Sequence, residues 1–105
     1  MYKIEDENAF NKYVGEHEKV CVKFSAPWCF PCRCTAENID AIVPTDRNGW
    51  EFIEVNTDNG TVGALSDKYQ VSALPTLVYL VNGEEKERTV GLRTSEEIIN
   101  TLKRF

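Results

Sequence analysis

The chain of 105 residues reads as an α/β domain built around a mixed sheet, and three features of the sequence predict it. Stretches rich in β-branched and aromatic residues alternate with stretches of helical period. An Asn-Gly pair joins two extended runs in the C-terminal half. A capping pattern then opens one last helix. The resulting order is βαβαβαββα.

Each element has its own signal. Tyr2-Lys3-Ile4 reads as a short edge strand, after which Asp6 or Asn8 caps a helix through Phe10 and Val14 to near Gly15. Val20-Cys21-Val22-Lys23-Phe24 is a buried strand, Lys23 apart. From Cys29 the period changes: Cys32, Ala36, Ile39 and Val43 recur on one helical face, and Pro31 suits the first turn, where its missing N–H costs nothing. Pro44 and Asn48-Gly49 end that helix. Glu51-Phe52-Ile53-Glu54-Val55 is a second buried strand, and the stripe of Val62, Leu65 and Tyr69 predicts a short helix. Thr76 to Val81 and Glu85 to Val90 flank Asn82-Gly83 as a hairpin. Thr94-Ser95-Glu96-Glu97 opens the last helix, with Ile98, Ile99 and Leu102 facing inward. No repeat, linker or low-complexity stretch interrupts the pattern, so residues 1–105 are expected to form one domain.

Composition narrows the function classes. Apolar residues at 42% and charged residues at 28% exclude a disordered tail, a collagen-like rod and a coiled coil. A net charge of −5 favours solubility and argues against a nucleic-acid or anionic-membrane surface. Met1 to Glu7 turns acidic almost at once, with no apolar h-region, and Leu77 to Val81 is too short to cross a bilayer. A cytoplasmic location is therefore expected, where thiols are kept reduced.

In that setting the four cysteines point to catalysis or metal binding rather than a disulfide framework. Trp28-Cys29-Phe30-Pro31-Cys32 follows a buried strand and opens a helix. Its first cysteine sits at a helix N-terminus, where unpaired N–H groups and the dipole lower the thiol pKa. The second lies one turn on, close enough to resolve a mixed disulfide. A zinc site would need four ligands, and only Cys34, Cys21 and the lone His17 could add to the pair. Redox chemistry is the better reading, and no metal is expected. Cys34 points about 200° around the helix from Cys32 and reads as a small hydrophobe, Cys21 as a packing residue and His17 as solvated.

On these residues the chain resembles the thioredoxin family. The matching stretches are Val22 to Cys32, Val55-Asn56-Thr57-Asp58, Tyr69-Gln70-Val71, Leu74-Pro75-Thr76-Leu77, Asn82-Gly83 and Gly91, in the family's order along nearly the whole chain. The resemblance implies a thioredoxin fold and a cis Pro75 facing the cysteines. It also implies a shallow apolar groove of Trp28, Ala73, Leu74, Gly91 and Leu92, with Leu74 offering its backbone to an extended substrate.

Departures from the family pattern bear on the chemistry. Phe30 stands where glycine is usual and is expected to tune the pair and extend the groove. The family's buried carboxylate falls at Lys23 and its basic companion at Glu54, a charge swap on neighbouring strands. Glu54 is expected to shuttle protons for Cys32, while a buried Lys23 would stabilise thiolate and favour a more oxidising potential. The alternative has Lys23 snorkelling to solvent and Glu54 on the surface. Ser25 replaces a large aromatic, and Glu37 replaces a helix-bending proline, so the helix is expected to run straighter, up to Pro44.

The resemblance implies a thiol–disulfide oxidoreductase in which Cys29 attacks and Cys32 resolves, with Trp28, Phe30, Pro31, Pro75, Lys23 and Glu54 supporting. It needs no bound cofactor. Expected partners are disulfide-containing proteins, and a thioredoxin-reductase-like protein or small thiol as electron donor, with the chain a monomer. An oxidant, isomerase or glutaredoxin-like role at higher potential would use the same residues. A metal-binding or scaffold module is the reading from other classes.

Overall fold

A computed structural model describes residues 1–105. Strand β1 (Tyr2–Ile4) leads to helix α1 (Glu7–Glu16), β2 (Lys19–Ser25) and α2 (Phe30–Asp40). A 3-10 turn at Pro44–Arg47 precedes β3 (Glu51–Asn56) and α3 (Ala64–Lys68). The hairpin β4 (Thr76–Val81) and β5 (Glu84–Val90) and the helix α4 (Ser95–Leu102) complete the chain. The order is the predicted βαβαβαββα. The strands lie β1-β3-β2-β4-β5, with β1, β3 and β2 parallel and the hairpin strands antiparallel.

The period of two along each strand divides the core into two layers. Val20, Val22, Phe24, Ile53, Val55, Val78 and Leu80 pack with Phe10, Val62 and Leu65 on the face covered by α1 and α3. Cys21, Phe52, Leu77 and Tyr79 pack with Ile39, Ile42, Trp50, Ile98 and Leu102 beneath α2 and α4. At the β4–β5 turn, Asn82 and Gly83 both take positive φ (52° and 79°), the conformation this turn demands of its two central residues.

Local signals held where the controlling residue is adjacent in sequence. Asp6, not Asn8, caps α1, its carboxylate accepting from the Ala9 N–H at 2.7 Å. Around Thr94 both bonds of a capping box form: its hydroxyl accepts from Glu97 N–H and Glu97 accepts from Thr94 N–H. Thr94→Ala is expected to cost about 1 kcal/mol of stability, read as a lower urea midpoint with unchanged slope.

Helix α2 departs from expectation. It ends at Asp40 rather than running to Pro44, and its buried face is Cys32, Thr35 and Ile39, followed by Ile42. Ala36 is only partly buried and Val43 is 53% exposed. Pro44 disfavours helical backbone at the residue before it, and Val43 accordingly sits at φ −65°, ψ 150° as the chain swings into the 3-10 turn. His17 is also not simply solvated. Its ring stacks on Tyr13 at 4.1 Å between centroids, and its Nδ1–H donates to the Tyr13 carbonyl at 2.9 Å.

Candidate active site

The end of β2, a short loop and the start of α2 bring the two cysteines together. Cys29 is the N-cap of α2 and Cys32 lies in its first turn, with Pro31 at a position that needs no N–H partner. The Cys32 N–H points at Cys29 Sγ, 3.2 Å away. The two are joined as a disulfide with Cα atoms 5.2 Å apart. They pack with Ala26 and the partly buried Leu74, so the pair is nearly closed to solvent. On reduction, a thiolate at Cys29 would face the positive end of α2, the physical basis for its nucleophilicity.

Aromatic rings flank the pair on the surface. Trp28 is 70% exposed, yet its indole N–H is anchored on Asp58 Oδ2 at 2.8 Å. Asp58 is in turn fixed by its N–H to Asn56 Oδ1 at 2.9 Å. Asp58 lies in a stretch that matches the family, but nothing local in the sequence marks it as the partner of Trp28. Phe30 is 65% exposed, with the Arg33 guanidinium 5.5 Å from its ring centroid.

The Leu74–Pro75 peptide bond is cis. The Thr76 hydroxyl donates to the Ala73 carbonyl at 2.7 Å, and Gly91 N–H donates to the Pro75 carbonyl at 2.8 Å. Beside Cys29, Trp28, Ala73 and Leu74 line a surface cavity of about 350 Å³. Gly91 is joined to Pro75 by that hydrogen bond, and Leu92 stands 49% exposed.

Lys23 and Glu54 meet. Parallel pairing of β2 with β3 sets them directly opposite each other. Lys23 Nζ lies 2.7 Å from Glu54 Oε2 and donates to Ser25 Oγ at 2.8 Å. Lys23 is 1% exposed and the Glu54 side chain 20%, which corrects the alternative in which Lys23 snorkels out. A central strand beneath α2 keeps the lysine from bulk solvent, and the cross-strand carboxylate supplies its countercharge. Ser25, where a large aromatic is usual in the family, is small enough to admit the ammonium and adds an acceptor.

The other cysteines stay apart. Cys21 is fully buried, and burial pushes its thiol pKa far up, which makes it inert. Cys34 is a free, half-buried thiol on α2. No three His, Cys, Asp or Glu side chains converge as a metal site.

The Thioredoxin family model matches residues 1–104. A thioredoxin of Porphyra purpurea is 32% identical over 87 residues, covering 82% of this chain and 78% of that protein. One from Griffithsia pacifica is 29% identical over 99 residues, covering 94% and 89%. The X-ray structure of Fasciola hepatica thioredoxin superposes with a TM-score of 0.85 at 28% identity, covering 99% of this chain and 98% of that one. The chain belongs to the thioredoxin family, has the thioredoxin fold, and is a thiol–disulfide oxidoreductase with Cys29–Cys32 as its redox-active pair.

Proposed function

We propose that this thioredoxin-family oxidoreductase works in the reducing direction on protein disulfides, through its Trp28-Cys29-Phe30-Pro31-Cys32 motif. The observation that carries the reading is Cys29 at the N-terminus of α2, bonded to Cys32 and bordered by an apolar surface. The Cys29 thiolate attacks one sulfur of a substrate disulfide, and the other substrate sulfur leaves as thiolate. Cys32 then attacks Cys29 Sγ, closes the Cys29–Cys32 disulfide and releases the second substrate thiol. Two electrons have passed to the substrate. A thioredoxin-reductase-like protein or a small thiol returns them, so the cycle itself calls for no bound cofactor.

Trp28, Ala73 and Leu74 receive the substrate segment beside Cys29, and Pro75 holds that loop against the pair. Gly91 supports Pro75 from behind, and Leu92 extends the apolar border. Glu54 exchanges the proton of Cys32, a role its partial exposure supports. Residues 1–105 act as one domain and as a monomer, in the cytoplasm or a similarly reducing compartment; the free thiols of Cys21 and Cys34 fit such a setting. No helix is long and apolar enough to cross a membrane, and the net charge of −5 disfavours nucleic acid.

Reduction of a disulfide-bonded probe such as insulin, with dithiothreitol as electron source, tests the reading. The chain should accelerate reduction well beyond dithiothreitol alone; an equal rate would overturn it. In the same assay Phe30→Gly removes an exposed ring from between the cysteines. Its KM for a protein disulfide is expected to rise about threefold to tenfold, the worth of roughly 1 kcal/mol of apolar contact, while its rate with a small disulfide holds.

A further inference from the structure

At the C-terminal ends of β1, β3 and β2, beneath the first turns of α2, lies a cavity of about 520 Å³ that is separate from the surface beside Cys29. The carboxyl ends of parallel strands are where open α/β sheets receive ligands. The floor of the cavity follows from strand register. Lys3, Glu54 and Lys23 stand side by side across three strands, and Ser25 lies two residues beyond Lys23 on the same face. Ala26 closes the cavity toward the disulfide, because it also packs on Cys29 and Cys32. Arg33 lines the cavity from α2.

Two donors here lack a protein acceptor. A lysine ammonium carries three hydrogens, and Lys23 directs two of them to Glu54 and Ser25. The third has no protein acceptor. The Ser25 hydroxyl accepts from Lys23 and donates to no protein group, so its hydrogen is free as well. Both residues are buried, 1% and 6% exposed, where an unanswered donor is costly. Charge points the same way. Lys3, Lys23 and Arg33 face Glu5 and Glu54, which leaves the lining one positive charge in surplus.

We propose that this cavity binds a small oxyanion, a carboxylate or phosphate group, which accepts from the free Lys23 N–H and Ser25 O–H and is balanced by Arg33 and Lys3 at the rim. Water would satisfy the two donors as well, but the surplus positive charge of Lys3 and Arg33, both exposed at the rim, favours an anion over water there. The site goes beyond the disulfide-reducing function and does not depend on it.

The oxidised full chain, labelled with nitrogen-15, is titrated with sodium phosphate and separately with sodium acetate. The pH is fixed, and sodium chloride holds the ionic strength constant. Saturable amide shifts are expected at Ser25, Ala26 and Glu54, half-complete on the order of 1 mM. Saturation by both anions assigns the site to oxyanions generally, and saturation by one alone narrows the ligand to that class. Ser25→Ala and Arg33→Gln are each expected to weaken binding about tenfold, the loss of one hydrogen bond or ion pair to a charged ligand. Ser25→Ala is nearly isosteric and Arg33 is on the surface, so both variants should fold, which circular dichroism checks. Shifts that stay linear, or match chloride alone, would overturn the proposal and leave a water-filled cavity. Saturable binding that survives both substitutions unchanged would overturn it too, because the anion then sits elsewhere.

Discussion

Cys29→Ser is expected to abolish catalysed disulfide reduction, a fall of at least about three orders of magnitude in kcat/KM, or more than about 4 kcal/mol of barrier. A serine hydroxyl is hardly ionised at neutral pH, so the helix N-terminus has no thiolate to stabilise. Cys32→Ser should behave differently. Cys29 still attacks, but nothing resolves the intermediate, so a mixed disulfide with the probe protein accumulates and is visible by mass spectrometry under non-reducing conditions. Cys34→Ser should turn over normally, since that thiol is no part of the pair. Trapping by Cys29→Ser and loss of attack in Cys32→Ser would reverse the assigned roles.

The second large effect concerns the buried ion pair. Glu54→Gln leaves the Lys23 ammonium 1% exposed with no countercharge at 2.7 Å, and stability should fall by about 3 kcal/mol, the usual consequence of orphaning a buried charge. Lys23→Met should cost less, about 2 kcal/mol, because the remaining carboxylate is 20% exposed and reaches water. The redox consequences have opposite signs. An uncompensated ammonium near Cys32 favours the thiolate of the reduced state, so Glu54→Gln should raise the potential of the pair. An uncompensated carboxylate disfavours that thiolate, so Lys23→Met should lower it. A shift of about 30 mV each way corresponds to tenfold in the exchange equilibrium. Glu54→Gln should also slow reduction with an altered pH profile. Wild-type rates at every pH would remove Glu54 from the proton path, and unmoved potentials in both variants would show that the pair is electrically remote from the cysteines.

What could be read from the sequence was governed by short-range rules. The strands announce themselves through β-branched runs, and the hairpin through Asn82-Gly83. The last helix does so through Thr94 and Glu97, and the reactive pair through two cysteines one turn apart. The end of α2 was also legible in principle, since Pro44 acts on Val43 next to it, but the apolar stripe through Val43 masked that signal. Other features depend on contacts between distant segments. Whether a strand lysine is buried depends on which carboxylate the register sets opposite it and on which helix covers it, so the Lys23–Glu54–Ser25 cluster needed the assembled sheet. The isomer at Leu74–Pro75 belongs to the tertiary setting. The bond from Trp28 to Asp58 spans 30 residues and has no local signature.

Because Glu54 answers the charge of Lys23 at 2.7 Å, the oxidising shift that an isolated buried lysine would impose should not arise. The most direct test is a redox titration of the Cys29–Cys32 couple against a dithiol buffer, in a Cys34→Ser background. A single two-electron transition near about −270 mV, the range of thioredoxin reductants, is the predicted result. A midpoint at or above about −180 mV, where disulfide isomerases and oxidants lie, or failure to form an intramolecular disulfide at all, would contradict the assignment of this chain as a reductase.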